Sequence, residues 1–126
     1  MGEAVRAIIM KGNTYLLVQR GGLQTKSYGQ WQFPGGKREK LKKAQALKKE
    51  ILEETGLTVK SIHPFKKVNI HFEDTGNHST VFYKVKAEGD VQIQESEISN
   101  FGWYDKKESL ELDLTPSTKH IFNDLR

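Results

Sequence analysis

The stretch KEILEETGL, residues 49–57, packs Glu50, Glu53 and Glu54 into five residues and then stops at Gly56. Upstream apolar positions Ala44, Leu47 and Ile51 recur at three and four residues, which predicts a helix from about residue 40 to residue 55. A glycine just past the last periodic position is a natural helix stop. At about 100° per residue the three glutamates share one face beside the apolar stripe. Such a helix can dock in a core while presenting carboxylates at a cleft. Like charges at this spacing cost roughly a few tenths of a kcal/mol per pair, and the C-terminal end of a helix dipole disfavours anions. Both penalties ask for a compensating cation. Clustered hard oxygen donors suit Mg²⁺ or Mn²⁺ bound together with substrate phosphates; a solvated acidic turn paired with nearby lysines is the plain alternative.

Working outward, AVRAIIM (residues 4–10) and TYLLVQR (residues 14–20) flank a turn at Gly12 and Asn13 and read as a hairpin. Both strands are apolar on both faces, as in a sheet covered on two sides. The glycine-rich segment GGLQTKSYGQ, residues 21–30, reads as a long loop of the functional or mobile kind. After the helix, LTVKSIHPF reads as a strand entering a turn, and VNIHF with TVFYKVKA as a second hairpin in which Val68, Ile70 and Phe72 share a face. A looser stretch leads to the aromatic strand FGWY. Thr115 and Pro116 then start a terminal helix, with Ile121 and Leu125 as its apolar pair. The expected class is α+β, a mixed sheet between the acidic helix and the terminal helix, in one domain spanning residues 1–126.

The chain has no cysteine, which excludes disulfides, thiolate metal sites and a cysteine nucleophile, and leans toward a reducing compartment. With no signal-peptide pattern and no apolar run long enough to cross a bilayer, a cytoplasmic protein without membrane contact is expected. The 20 Lys+Arg against 16 Asp+Glu are unevenly spread, because Lys37, Arg38, Lys40, Lys42, Lys43, Lys48 and Lys49 crowd one segment beside a single acid, Glu39. That block suits a polyanionic partner or, more plainly, a solvated helix face.

Residues 31–57, WQFPGGKREKLKKAQALKKEILEETGL, resemble the Nudix family. Its signature is G-x5-E-x7-R-E-U-x-E-E-x-G-U, with U apolar, commonly preceded by an aromatic-Pro-Gly-Gly-Lys loop. Residues 49–57 fit the second half at every defined position except the first, where Lys49 replaces Arg, and Phe33-Pro34-Gly35-Gly36-Lys37 fits the lead-in. Between Gly36 and Lys49 the chain is one residue short, and the glutamate expected midway is replaced by Leu41 or Lys42. In the family that glutamate is thought to brace the box arginine, so the resemblance implies retained metal ligands with an altered brace.

The resemblance implies an α/β/α sandwich of the MutT-like kind. It also implies hydrolysis of a nucleoside diphosphate linked to a further group, by water attack on phosphorus. For the MutT group this means nucleoside triphosphate to monophosphate plus pyrophosphate. Glu50, Glu53, Glu54 and the backbone carbonyl of Gly36 would be the ligands of Mg²⁺ or Mn²⁺. Glu53 is the first candidate to orient or deprotonate the water, and Glu97 the second. Arg20 and Lys37 are candidate phosphate contacts, Tyr28 a candidate to stack on a base, and Thr118 the nearest match to the family's base-reading asparagine. Trp31 and Phe33 read as core, and His71 as sheet surface. Other substrates in view are dinucleoside polyphosphates and a triphosphorylated RNA 5′ end; a nucleotide- or RNA-binding module with little turnover is the reading from another class. Either a monomer or a homodimer is compatible with the pattern.

Overall fold

The computed structural model describes residues 2–21, 28–38, 42–94 and 97–125. Position 41 of the altered box, Lys40 and residues 22–27 of the glycine-rich loop lie outside them.

The first two strands, β1 (Gly2–Lys11) and β2 (Thr14–Arg20), pair only beside their turn, Met10 with Tyr15 and Lys11 with Thr14. The expected hairpin is therefore confined to its tip, because each strand has a longer partner elsewhere. From Gly2–His78 to Ile9–Val85, β1 runs parallel to β6 (Gly76–Glu88). Along most of its length β2 runs antiparallel to β7 (Ile98–Tyr104). Into the wedge between them come two short strands, β3 (Trp31–Gln32) on β2 and β4 (Gly35–Lys37) on β1. The chain order thus yields a mixed seven-stranded sheet with an opening at its centre.

A second departure concerns β5 (Thr58–Phe72), which continues through the residues read as a turn and pairs with β6 along its whole length. Register shifts at Val59/Ser61 and Pro64/Lys66 take up the irregularity. Proline lacks an N–H for the ladder and is tolerated here because the strand lies at the end of the sheet order.

Helix α1 (Lys43–Thr55) starts at Lys42 without a side-chain cap and ends at Gly56, which adopts the left-handed φ of 73°. Its buried arc is broader than the stripe expected: Ala46, Leu47, Ile51, Glu54 and Thr55 are buried, whereas Ala44 in the first turn is exposed. The arc packs on β1, β4 and β5. On the opposite face lies α3 (Pro116–Phe122), with Thr115 at its N-cap, proline at its start and Ile121 and Phe122 fully buried. A seven-residue helix is too short to persist alone and depends on that packing. Between β7 and α3, α2 (Lys106–Leu110) is held by a reciprocal cap: Asp105 accepts from the Glu108 N–H, and Glu108 accepts from the Asp105 N–H.

Alternate residues of β1 and β2 enter opposite cores, as their two-faced apolarity requires. Val5, Ala7, Ile9 and Leu16 face α1, while Ile8, Tyr15 and Leu17 face α3. The result is an α/β/α sandwich with the sheet between the acidic helix and the terminal helix. Among the described residues no helix is long and apolar enough to cross a membrane.

Candidate active site

Where β1 and β2 diverge, a cleft of about 590 Å³ opens above the C-terminal half of α1. Residues 35–37 form one wall, and two glycines decide how tightly it fits. Gly35 sits at φ 153°, and a Cβ there would fall 2.0 Å from the Val5 carbonyl oxygen. On Gly36 a Cβ would fall 2.7 Å from Glu50 Cδ and Oε2. Without side chains, β4 can lie against β1 on one side and receive Glu50 on the other.

The three glutamates of α1 all line this cleft in different environments. Glu54 is 5% exposed and accepts from the Gly35 N–H at 3.2 Å. Its pKa is pushed up to about 7, mainly by desolvation; Arg6 and the Gly35 N–H oppose the shift, while Glu50 and Glu97 add to it. Glu50 is half-buried against Gly36. Glu53 is exposed at the edge, where Lys49 lies 3.8 Å away one turn earlier. That solvated pair contributes little.

Glu97 also lines the cleft, from a loop fastened at both sides: its carbonyl accepts from the Gly21 N–H and its N–H donates to the Gln94 carbonyl. Arg20, at the end of β2, lines it with its Nε buried and unpartnered among the described residues. Lys37 lines it from an exposed position. Two candidates are not brought in. Tyr28 is 54% exposed and does not line the cleft. Thr118 is fully buried, its hydroxyl accepting from the Thr115 hydroxyl at 2.9 Å, while Thr115, Pro116 and Ser117 reach the cleft instead. Trp31 and Phe33 are core residues, and His71 is exposed on the sheet beside Asn77.

Four lining residues escaped the sequence reading. Arg6, only 8% exposed, donates from Nη1 to the Phe33 carbonyl at 3.1 Å. Burial lowers its pKa to about 10; Glu54 opposes this shift, Arg20 reinforces it, and Glu50 opposes it again. The guanidinium nevertheless stays charged near neutrality. Gln32 is buried beside it. Phe72 and His78, edge to face at 5.4 Å, also line the cleft, with Ile70. The available signals were a lone charge inside AVRAIIM and an aromatic pair flanking the turn of the second hairpin.

The sequence matches the model of the NUDIX domain over residues 2–125. Among solved structures, a MutT NUDIX hydrolase from Burkholderia pseudomallei superposes with a TM-score of 0.90 at 20% identity, covering 99% of this chain and 98% of that one. The E. coli ORF135 protein gives 0.80 at 25% identity, with coverages of 98% and 86%. The NUDIX domain of Shewanella oneidensis NrtR, complexed with ADP ribose, gives 0.82 at 22% identity, with coverages of 98% and 84%. A comparison of the sequence with curated proteins found no match. Sheet, helices and cleft together define a hydrolase of phosphoanhydride bonds. The chain belongs to the Nudix family.

Nudix hydrolases generally use divalent metals such as Mg²⁺ or Mn²⁺. The donor set here fits such an ion: carboxylate oxygens, a glycine wall that admits Glu50, and a Glu54 carboxyl whose pKa is raised first by desolvation and further by Glu50 and Glu97. Among the described residues no three Asp, Glu or His side chains converge as a ready-made ligand set. Water and phosphate oxygens would therefore complete the coordination.

Proposed function

We propose that this chain hydrolyses nucleoside triphosphates to monophosphate and pyrophosphate in a reaction dependent on Mg²⁺ or Mn²⁺. The observation that carries the reading is the make-up of the cleft. The carboxylates Glu50, Glu53, Glu54 and Glu97 lie in it together with Arg20, and the Phe72–His78 pair and Ile70 line it too. A nucleotide combines matching chemistries, anionic phosphates and a flat apolar base.

Glu50 and Glu54, with the Gly36 backbone beside them, would hold the cation. When bound it supplies charge neutralisation on the phosphates and an acidified water. Exposed Glu53 would orient that water and accept its proton, with Glu97, which also lines the cleft, as the second candidate. Arg20 offers forked donors to a phosphate and Lys37 a point charge at the rim. Phe72 offers an aromatic face to the base.

A second substrate class, dinucleoside polyphosphates or a triphosphorylated RNA 5′ end, is favoured by one observation. Arg38, Lys43 and Lys67 all lie within ion-pair distance of Glu3 at the cleft margin, at 3.1, 3.7 and 3.7 Å. A polyanion continuing past the reacting phosphates would meet these cations.

The test is a phosphate and pyrophosphate release screen with Mg²⁺ and with Mn²⁺. Its substrates are nucleoside triphosphates, oxidised guanine nucleotides, dinucleoside polyphosphates, nucleoside diphosphate sugars and triphosphorylated RNA. Metal-dependent pyrophosphate release from triphosphates is the expected result. Turnover confined to the extended substrates would select the second class, and silence from folded, metal-bound protein would select a binding module.

A further inference from the structure

Arg6 carries a buried charge inside an apolar strand, and its bond to the Phe33 carbonyl needs only a neutral donor. Glu54 and Glu50 attract that charge, and Arg20 repels it. Its surroundings are unusual: with the Gln32 amide turned so that its oxygen faces the cations, that oxygen accepts from Arg6 Nη1 and Arg20 Nη1, each at 3.2 Å. Two guanidiniums from separate strands thus meet at one neutral oxygen in the cleft, with Gln32 itself only 3% exposed. An amide oxygen orients both cations without cancelling either charge. A phosphate oxygen would do both, with stronger, charge-assisted bonds.

We propose that Arg6 is a substrate-binding residue, which with Arg20 forms a two-guanidinium clamp for a substrate phosphate, Gln32 spacing the pair. The inference rests on the reading that the cleft receives nucleotide phosphates. It does not depend on which anhydride bond breaks. In this arrangement the cleft has two opposed sides, the carboxylates of α1 for the cation and the guanidiniums of β1 and β2 for the anion. Arg6 is within electrostatic reach of both, since Glu54 and Glu50 raise its pKa and Arg20 lowers it.

That position gives the proposal a signature that a structural arginine lacks. Loss of a positive charge beside the carboxylates should tighten binding of a divalent cation and weaken binding of a phosphate. Loss of a mere support for the cleft would weaken both. Arg6→Gln is the informative variant, because its amide can still donate to Phe33. Mn²⁺ affinity is read by electron paramagnetic resonance without nucleotide. Phosphate affinity is read by calorimetry with a non-hydrolysable triphosphate analogue at saturating Mg²⁺.

The expected result for Arg6→Gln is Mn²⁺ affinity equal to or above that of the parent and analogue affinity at least tenfold weaker. Unchanged analogue affinity, or equal losses in both measurements, would overturn the proposal. Arg6→Lys keeps the charge and loses the fork; it should hold Mn²⁺ affinity while losing at least threefold in analogue affinity, and parent-like analogue binding would count against the clamp. This second variant decides the matter should Arg6→Gln fail to fold. If the parent binds the analogue but cleaves nothing in the substrate screen, the hydrolase reading fails and the clamp can stand.

Discussion

The two faces of the sheet are packed with different materials. Toward α3 the core is aromatic: Phe33 meets Tyr15, Phe82 and Phe122 at centroid distances of 6.0, 6.0 and 5.2 Å. Toward α1 it is largely aliphatic and includes small residues, Ala7 and Ala46 among them, and the helix adds the buried polar groups Glu54 and Thr55. Small side chains let α1 lie close to β1 and β4, which is what brings Glu50 against Gly36 and Glu54 to the Gly35 N–H. One face supplies stability through bulk, and the other gives up bulk to hold carboxylates at the backbone.

Four substitutions sharpen or break this division. The largest effect is expected from Glu53→Gln, which should lower turnover by about 10² or more with an unchanged melting temperature; near-normal turnover would remove Glu53 from the chemistry. On the other face, Phe122→Ala should cost about 3–5 kcal/mol of stability by denaturant unfolding while Mn²⁺ affinity survives under folding conditions. Loss of metal binding from the still-folded variant would show that the faces are not separable.

The third test uses pH. Because the folded pKa of Glu54 is raised to about 7 from 4.5, the folded state holds its proton more tightly than the unfolded chain does. Its contribution to stability is thus fully present below about pH 4.5 and is lost as pH rises through about 7. In metal-free protein the loss is on the order of 3 kcal/mol at most. Melting temperatures recorded with chelator should fall across that window, and Glu54→Gln should flatten the fall; identical profiles would place the burden on another group. The smallest effect is expected from Thr118→Val, which leaves the Thr115 hydroxyl without its acceptor and should cost about 1 kcal/mol. A changed base preference in that variant would restore Thr118 to the substrate site.

What could be read from the sequence was local. The helix, its glutamates, the glycine stop and the two-glycine wall lie within residues 33–57, and each announces itself by spacing or by residue type over a few positions. The pieces that were misread depend on partners far along the chain. β1 and β2 resembled a full hairpin because nothing local reveals that β1 prefers residues 76–88. Arg6 drew no reading from the sequence, because Gln32 and Arg20 come beside it only in the fold. Thr118 was chosen by its place near the helix start, but helical phase at α3 turns it inward and leaves Thr115, Pro116 and Ser117 at the cleft. Pro64 signalled a turn, yet an edge strand absorbs it as a register shift.

The parallel pairing of β1 with β6 also sets an order of assembly. During synthesis the acidic helix emerges before residues 76–88, so the strand on which α1 packs still lacks its long neighbour. Contacts of such high sequence separation form late and slowly, and until then Ile8 and Ile9 have no sheet to bury them. An N-terminal fragment ending before β6 lacks the long partner of β1. Glu97 and residues 115–117 follow β6 in the chain, so the cleft is complete only once they too have docked.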